Sequence, residues 1–373
     1  MMATQCLPAS LTPLDAALAV LLEGLEPVAP RDLSLAQAWG GVAAAMPPLP
    51  AMPRVDTASA DGYALRARDL VGASSYSPLP LSHPLHWVEA GDPMPEGCDC
   101  VVDAECVDDS GGLAQALAEA LPGQGVRRRG GDLAAGHAVL AAGRRVGRID
   151  QWAVAAAGLQ RLALRQPRLR LVEIPSAAGS TGPLIAELAI AAGAGLVRVA
   201  ASARDAAAIA AVIDVSDCDL VVTVGGSGVG RSDATIAALA ARGAVVSHGI
   251  ALQPGRTAAA GRIGKIPVIA LPGAPDQALA GWWTLVLPVL DRLSGLVRRP
   301  GSTLPLIRKI ASSVGIAELV LLEQQAGAWL PLAVGEWSLE LTARADAWLL
   351  VPAGSEGFAA GMPVHAYLIR DLG

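Results

Sequence analysis

The stretch VVTVGGSGVGRSDAT, Val221 to Thr235, decides how this chain is read. An apolar run ends at Val224, glycines follow at positions 225, 226, 228 and 230, and Asp233 precedes the alanine-rich ATIAALAARG. That order predicts a strand, a tight loop and a helix. Glycines let a backbone approach a ligand and turn its N–H groups inward, and a helix start adds a positive dipole end. Gly225, Gly226, Ser227, Gly228 and Gly230 are therefore candidates for holding phosphate. The loop is not a Walker motif, because no lysine follows a glycine ahead of Ser or Thr. Arg231 also breaks the dinucleotide spacing G-x-G-x-x-G. A plain strand-to-helix turn with Asp233 as the N-cap is the competing reading.

Outward from this loop, RLRLVEIP, LVRVAA, DLVVTV, AVVSHGIAL and KIPVIALPG read as strands. Helices are expected over Pro183–Ala192, RDAAAIAAVID, DATIAALAARG and DQALAGWWTLVLPVLDRLSG. Strands alternating with helices predict a parallel sheet covered on both faces, a doubly wound α/β domain over residues 167–299. Ligands of such sheets bind beyond the carboxyl ends of the strands. A second rigid loop, VIALPGAPDQA, brings Pro272, Gly273 and Pro275 to the same edge, and GIALQPGRTAAAG between the loops carries Arg256. Two such loops make a cleft with two walls.

The flanking regions differ in kind. Thr12 as a cap and Pro13 open the helix LDAALAVLLEGL, PVAPRDLSLAQAWG leads into a shorter helix, and IDQWAVAAAGLQ forms another. Residues 1–41 plus 136–166 are thus expected to form a discontinuous helical domain. Residues 42–135 are dense in Pro, Gly, Asp and short β-like runs such as LHWVEA and CDCVVDAE, which predicts an inserted β-rich domain. Residues 300–373 hold short strands between Gly-bearing turns, which predicts a small C-terminal β domain, barrel-like or a sandwich.

Composition narrows the function. The 373 residues suggest two or three domains at ~150 residues each. A net charge of −6 argues against a general nucleic-acid binder, with the run Arg127–Arg129 as a local exception. The apolar stretch LAIAAGAGLV lies between Glu187 and Arg198 and falls short of the ~20 residues a membrane span needs. No basic leader precedes the first apolar run, so a cytoplasmic protein with no membrane partner is expected. Cys6, Cys98, Cys100, Cys106 and Cys218 form no C-x-x-C pair, and free thiols are the expectation.

Five segments, in order along the chain, resemble the molybdopterin molybdotransferases (MoeA and the gephyrin E-domain). VDTASADGYALR resembles the family's Asp-Asn-Ser-Ala-Met-Asp-Gly-Tyr-Ala-Val-Arg, and AGDPMPEGCDCVV its Gly-Ala-Pro-x-Pro-x-Gly-x-x-x-Val-Val. VRRRGGDLAAGHAVLAAGRRV resembles its Arg-Arg-x-Gly-Glu-Asp-x-x-x-Gly stretch. VVTVGGSGVGRSDAT and LPGAPDQA stand where the family has Gly-Gly-Val-Ser-Val-Gly…Asp and Leu-Pro-Gly-Asn-Pro-Val-Ser. The resemblance implies molybdenum cofactor biosynthesis, with molybdate inserted into adenylylated molybdopterin, Mg²⁺ as metal and AMP released. It implies an elongated homodimer with the cleft between the α/β domain of one subunit and the β insertion of the other. Other enzymes of molybdenum-cofactor synthesis or use are implied partners. By position, Asp56, Asp61, Asp132 and Asp205 match acidic catalytic positions, and Asp233 with Asp205 the metal site. The loop glycines, Ser227, Arg256, Pro272, Gly273, Pro275 and Arg128 match ligand-binding positions. Helix-cap and turn roles stay open for Asp205, Asp61 and Asp132.

The chain also departs from the family pattern inside the cleft. EIPSAAGSTGPL is shortened and lacks the Asp-Glu of Ser-Thr-Gly-Asp-Glu, and Lys-Pro-Gly-Lys appears as QPGR. Ala274, Gln277, Gly131, Ala90 and Ile236 replace the Asn, Ser, Glu, Thr and Lys of the pattern. Losing one transition-state donor typically costs ~10²–10³ in rate. A catalytically degenerate paralogue that binds a pterin or nucleotide ligand as carrier or scaffold is therefore the alternative reading. A narrower option keeps the fold and turns the cleft to another phosphorylated substrate.

Overall fold

The computed structural model describes residues 5–176 and 179–369. The chain divides into two compact units. One runs through Ala45, takes up Ala141–Trp152 and continues from Gln160, and the other comprises Met46–Leu140 and Ala153–Leu159.

The first unit is built on a six-stranded sheet. Its strands are β1 (Arg168–Glu173), β2 (Gly195–Ala200), β3 (Leu220–Val224), β4 (Val245–His248), β5 (Ala259–Ile263) and β6 (Ile266–Leu271), in spatial order β2-β1-β3-β6-β5-β4. The first four strands of that order are mutually parallel. β5 runs antiparallel to β6, and β4 antiparallel to β5, so the sheet is mixed rather than wholly parallel. The sequence reading missed β5 because TAAAGRIG has no β-branched or aromatic run. Its alanines carry little strand preference, and pairing with two neighbours decides its state. Every residue of β3 is buried, as expected of a central strand covered on both faces. Leu220, Val222, Ile269 and Leu271 pack on one face, and Val221, Val268 and Ala270 on the other.

The helices of this unit include α1 (Leu14–Leu22), α2 (Thr181–Ala191), α3 (Ala206–Val212), α4 (Thr235–Ala241), α5 (Pro275–Gly281) and α6 (Leu287–Ser294). A π-helical turn, Trp282–Val286, joins α5 to α6. Pro288 follows it, and a wider turn accommodates a ring that lacks an N–H and crowds the carbonyl four residues earlier. Gly295 ends α6 in the left-handed conformation (φ 68°).

Three local expectations change. Thr12 does not cap α1: its N–H donates to Gly249 O (2.9 Å), its carbonyl accepts from Ala251 (2.7 Å), and Pro13 holds the cap position. The expected short helix near residue 35 is a strand, Arg31–Ser34, followed by a single tight turn, Leu35–Gln37. That strand pairs with Arg161–Arg165, which also pairs with Val42–Ala43, so the discontinuous region carries a small antiparallel sheet as well as helix. The C-terminal region does not form a closed barrel. Its sheet, among the described residues, is an open path from Leu252–Gln253 through Ala317–Gln325, Ala347–Val351 and Pro363–Leu368 to Gly301–Pro305.

The second unit is antiparallel β throughout its paired strands. Gly62–Leu65 lies between His86–Val88 and Cys100–Val102, and Gln115–Ala118 between Ser74–Pro80 and Val107–Asp108. Leu65, Leu70, Leu81, Cys100 and Val102 fill its core. None of the cysteines forms a disulfide. Burial first, then the neighbouring Asp99 carboxylate, pushes the Cys100 thiol up to about 11, so it stays protonated and inert near neutral pH.

Candidate functional site

β1, β3 and β6 end together at Glu173, Val224 and Leu271, and the loops leaving them line adjoining hollows of about 290 and 310 Å³. A third hollow of about 510 Å³ shares Thr257 and Gln277 with the second. The middle hollow lies against Gly225, Gly226 and Gly228 on one side and Pro272 and Gly273 on the other. This is the two-walled cleft that the two loops of the sequence predict.

The glycine loop is held in one unusual way. Gly225 and Gly226 have φ of 93° and 66°, and a Cβ on Gly226 would lie 2.5 Å from Thr235 Oγ1. The loop carbonyls are tied back into the protein. Thr235 Oγ1 donates to Gly225 O (2.9 Å), and Gln5 Nε2 donates to Gly226 O (3.1 Å) and Gly228 O (2.8 Å). Ser227 O bonds to His248 Nε2 (2.8 Å). Among the described residues, the N–H groups of Gly226, Ser227 and Gly228 have no protein acceptor. A run of backbone N–H groups whose carbonyls face away is a nest for an anion.

The acidic residues of this unit play different parts. Asp233 does not cap α4, whose N-cap is Ala234. Its Oδ1 instead accepts from Arg204 Nη2 (2.8 Å), and its Oδ2 from Gly230 N (3.0 Å). Arg204 donates through Nη1 to Pro175 O (2.7 Å) and lines the same hollow. Asp205 caps α3, its Oδ1 accepting from Ala207 N (3.1 Å) and Ala208 N (2.9 Å), and it is not among the residues lining the hollow. Of the other assigned residues, Ser227 is buried and Gly230 braces Asp233. Arg256 lines the third hollow with Asp276 and Glu336, and Pro275 opens α5. Ala177 and Ala178, in the shortened segment after β1, lie outside the described residues.

The residues assigned in the second unit are anchored within it. Asp56 Oδ1 accepts from Arg129 N (2.7 Å), and Asp132 faces Arg127 Nη1 at 3.4 Å, so Asp56, Asp132 and the arginine run sit together. Asp61 Oδ1 accepts from Ala90 N (2.8 Å), which links the residue before strand Gly62–Leu65 to the chain leaving its partner His86–Val88. Arg128 lies in the turn that precedes Asp132, its carbonyl accepting from Gly131 N (2.9 Å).

These side chains do not make a site for Mg²⁺ in the hollow. Both oxygens of Asp233 already face donors, one of them a guanidinium, and Asp205 is turned to its own helix. Among the described residues no three His, Cys, Asp or Glu side chains converge in a metal-holding group. Arg204 lines the hollow as a cation beside Asp233.

Comparison with known proteins places this architecture. A model of the MoeA N-terminal region (domain I and II) matches residues 12–158, and one of a probable molybdopterin binding domain matches residues 176–292. The chain belongs to the MoeA family.

Among MoeA-family relatives, molybdopterin molybdenumtransferase 2 of Mycobacterium tuberculosis is 29% identical over 356 residues, covering 83% of this chain and 87% of the relative. Molybdopterin molybdenumtransferase of Synechococcus elongatus is 27% identical over 366 residues, covering 86% and 89%. The crystal structure of the molybdopterin biosynthesis MoeA protein from Pyrococcus horikoshii superposes with a TM-score of 0.73 at 22% identity, over 96% of this chain and 100% of that one, which establishes a MoeA-like fold.

Sequence reasoning missed Arg204, Gln5 and His248. Arg204 stands beside Asp205 in the sequence, and only the fold shows that it reaches Asp233, twenty-nine residues on. Gln5 and His248 act on loop carbonyls from distant segments and carry no local motif.

Proposed function

We propose that this chain acts in molybdenum cofactor biosynthesis, inserting molybdate into adenylylated molybdopterin with release of AMP. The observation that carries the proposal is the run of N–H groups at Gly226, Ser227 and Gly228 without a protein acceptor, in a loop whose Gly226 and Gly228 line a hollow at the strand ends. The names of the MoeA-family relatives support the substrate class. The substrate carries a pyrophosphate link between pterin and AMP. Breaking it needs an oxygen nucleophile in line with the leaving phosphate and donors for the charge that develops. The loop N–H groups supply donors, and Arg204 lies beside them. Gly273 and Pro272 form the opposite wall, and Arg256 in the adjoining hollow is placed to meet a second anionic group.

Asp56, Asp61, Asp132 and Arg128 are carried into this proposal as the catalytic and ligand residues that the family pattern assigns to the β-rich unit, with a homodimer as the working form. No helix among the described residues is long and apolar enough to cross a membrane.

The test is a single-turnover reaction of purified protein with adenylylated molybdopterin and molybdate, measuring AMP and pterin-bound molybdenum. The account predicts the two in equal amounts. Ligand bound without AMP release makes the protein a carrier instead.

A further inference from the structure

We propose that Arg204 is the fixed cation of the phosphate hollow, and that Asp233 is the holder of Arg204 and not a ligand of a divalent metal. The inference rests on reading the hollow as a phosphate site, and it names what neutralises the phosphate there.

Four observations carry it. The guanidinium is fixed at two corners, by Pro175 O at 2.7 Å and Asp233 Oδ1 at 2.8 Å, and the side chain lines the hollow. Arg204 is the more open member of the pair, its side chain 35% exposed against 14% for Asp233, so the charge that meets solvent or ligand is positive. Arg204 Nε is buried with no partner, a cost accepted when a guanidinium is held for something other than maximal pairing. Asp233 is clamped from its other side by Gly230 N–H and by the absence of side chains at Gly228 and Gly230. Cβ atoms there would lie 2.6 and 3.0 Å from Oδ2. The loop is thus shaped around this carboxylate, and the carboxylate around the arginine.

The two roles of Asp233 predict opposite signs. A metal ligand changed to asparagine loses the ion and weakens phosphate binding. A holder changed to asparagine keeps one amide oxygen for Arg204 at the expense of the Gly230 N–H bond, and removes a negative charge from beside the incoming anion. A planar guanidinium also offers phosphate a paired set of donors that an ammonium does not.

The probe is inorganic pyrophosphate, titrated calorimetrically into the full chain in EDTA and again with Mg²⁺. Wild type is expected to bind in EDTA, with no strengthening by Mg²⁺. Arg204→Gln should weaken binding about 10–100-fold, the range for losing a charged hydrogen-bond partner. Arg204→Lys should fall between, which separates loss of charge from loss of fold; circular dichroism checks each variant. Asp233→Asn should bind as tightly as wild type or up to ~10-fold more tightly. Binding that requires Mg²⁺ and is lost in Asp233→Asn overturns the inference, as does the absence of any pyrophosphate binding by wild type. Because this readout needs no turnover, it stands apart from the AMP-release test. Arg204-dependent binding without AMP release would sink the transferase reading and keep this one.

Discussion

Gly226→Val is expected to abolish pyrophosphate binding and to cost about 3 kcal/mol of stability, the sum of a left-handed valine and a small-to-large clash. Gly226 sits at φ 66°, where a β-branched residue is an outlier, and its Cβ would lie 2.5 Å from Thr235 Oγ1. That hydroxyl is itself the donor to Gly225 O, so relief of the clash breaks the bond that turns the loop carbonyls away from the hollow. At least two backbone donors then lose their aim, which lowers affinity by at least ~100-fold. Calorimetry with pyrophosphate and a thermal melt check both parts. A variant that binds like wild type would show that these N–H groups are not the phosphate contacts.

Asp291→Ala is expected to cost about 3–5 kcal/mol, because it takes the shared carboxylate away from two arginines in a mostly buried cluster. Asp291 Oδ2 accepts from Arg299 Nε (3.1 Å) and Nη2, and its Oδ1 lies 3.6 Å from Arg145 Nη2. All three side chains are no more than 20% exposed. Arg145 also donates to Gly40 O at 2.9 Å, and the Arg299 guanidinium lies 5.1 Å from the centre of the Tyr367 ring. One carboxylate on α6 therefore ties an N-terminal turn to the C-terminal sheet. The loss should appear as a lowered melting temperature, while pyrophosphate binding at 25 °C stays unchanged. A change below about 1 kcal/mol would mean that water screens the cluster as it screens surface pairs.

What the sequence made legible follows from how local each signal is. β3, the glycine loop and α4 were readable because an apolar run, φ-permissive glycines and alanines each act within a few residues. The proline-glycine loop at Pro272–Pro275 was readable for the same reason. β5 was not, because its state is set by pairing with β6 and β4 and not by its own side chains. The C-terminal strands were recognised, but whether a sheet closes depends on register between distant segments, and this one stays open. In the site, the sequence located the glycines and Asp233 but not what Asp233 faces. Its partner, Arg204, arrives from the loop after β2, and the carbonyl anchors arrive from Gln5 and His248. Such contacts leave no spacing to read.

The central claim is that the pterin nucleotide is held by its phosphates at the loop after β3. Hydrogen exchange followed by mass spectrometry, with and without adenylylated molybdopterin, tests it most directly. The account predicts that ligand slows exchange in peptides spanning Gly225–Gly230, whose free N–H groups would then be bonded, and in those spanning Pro272–Gln277. Protection confined to other segments, or none at saturating ligand, would contradict it.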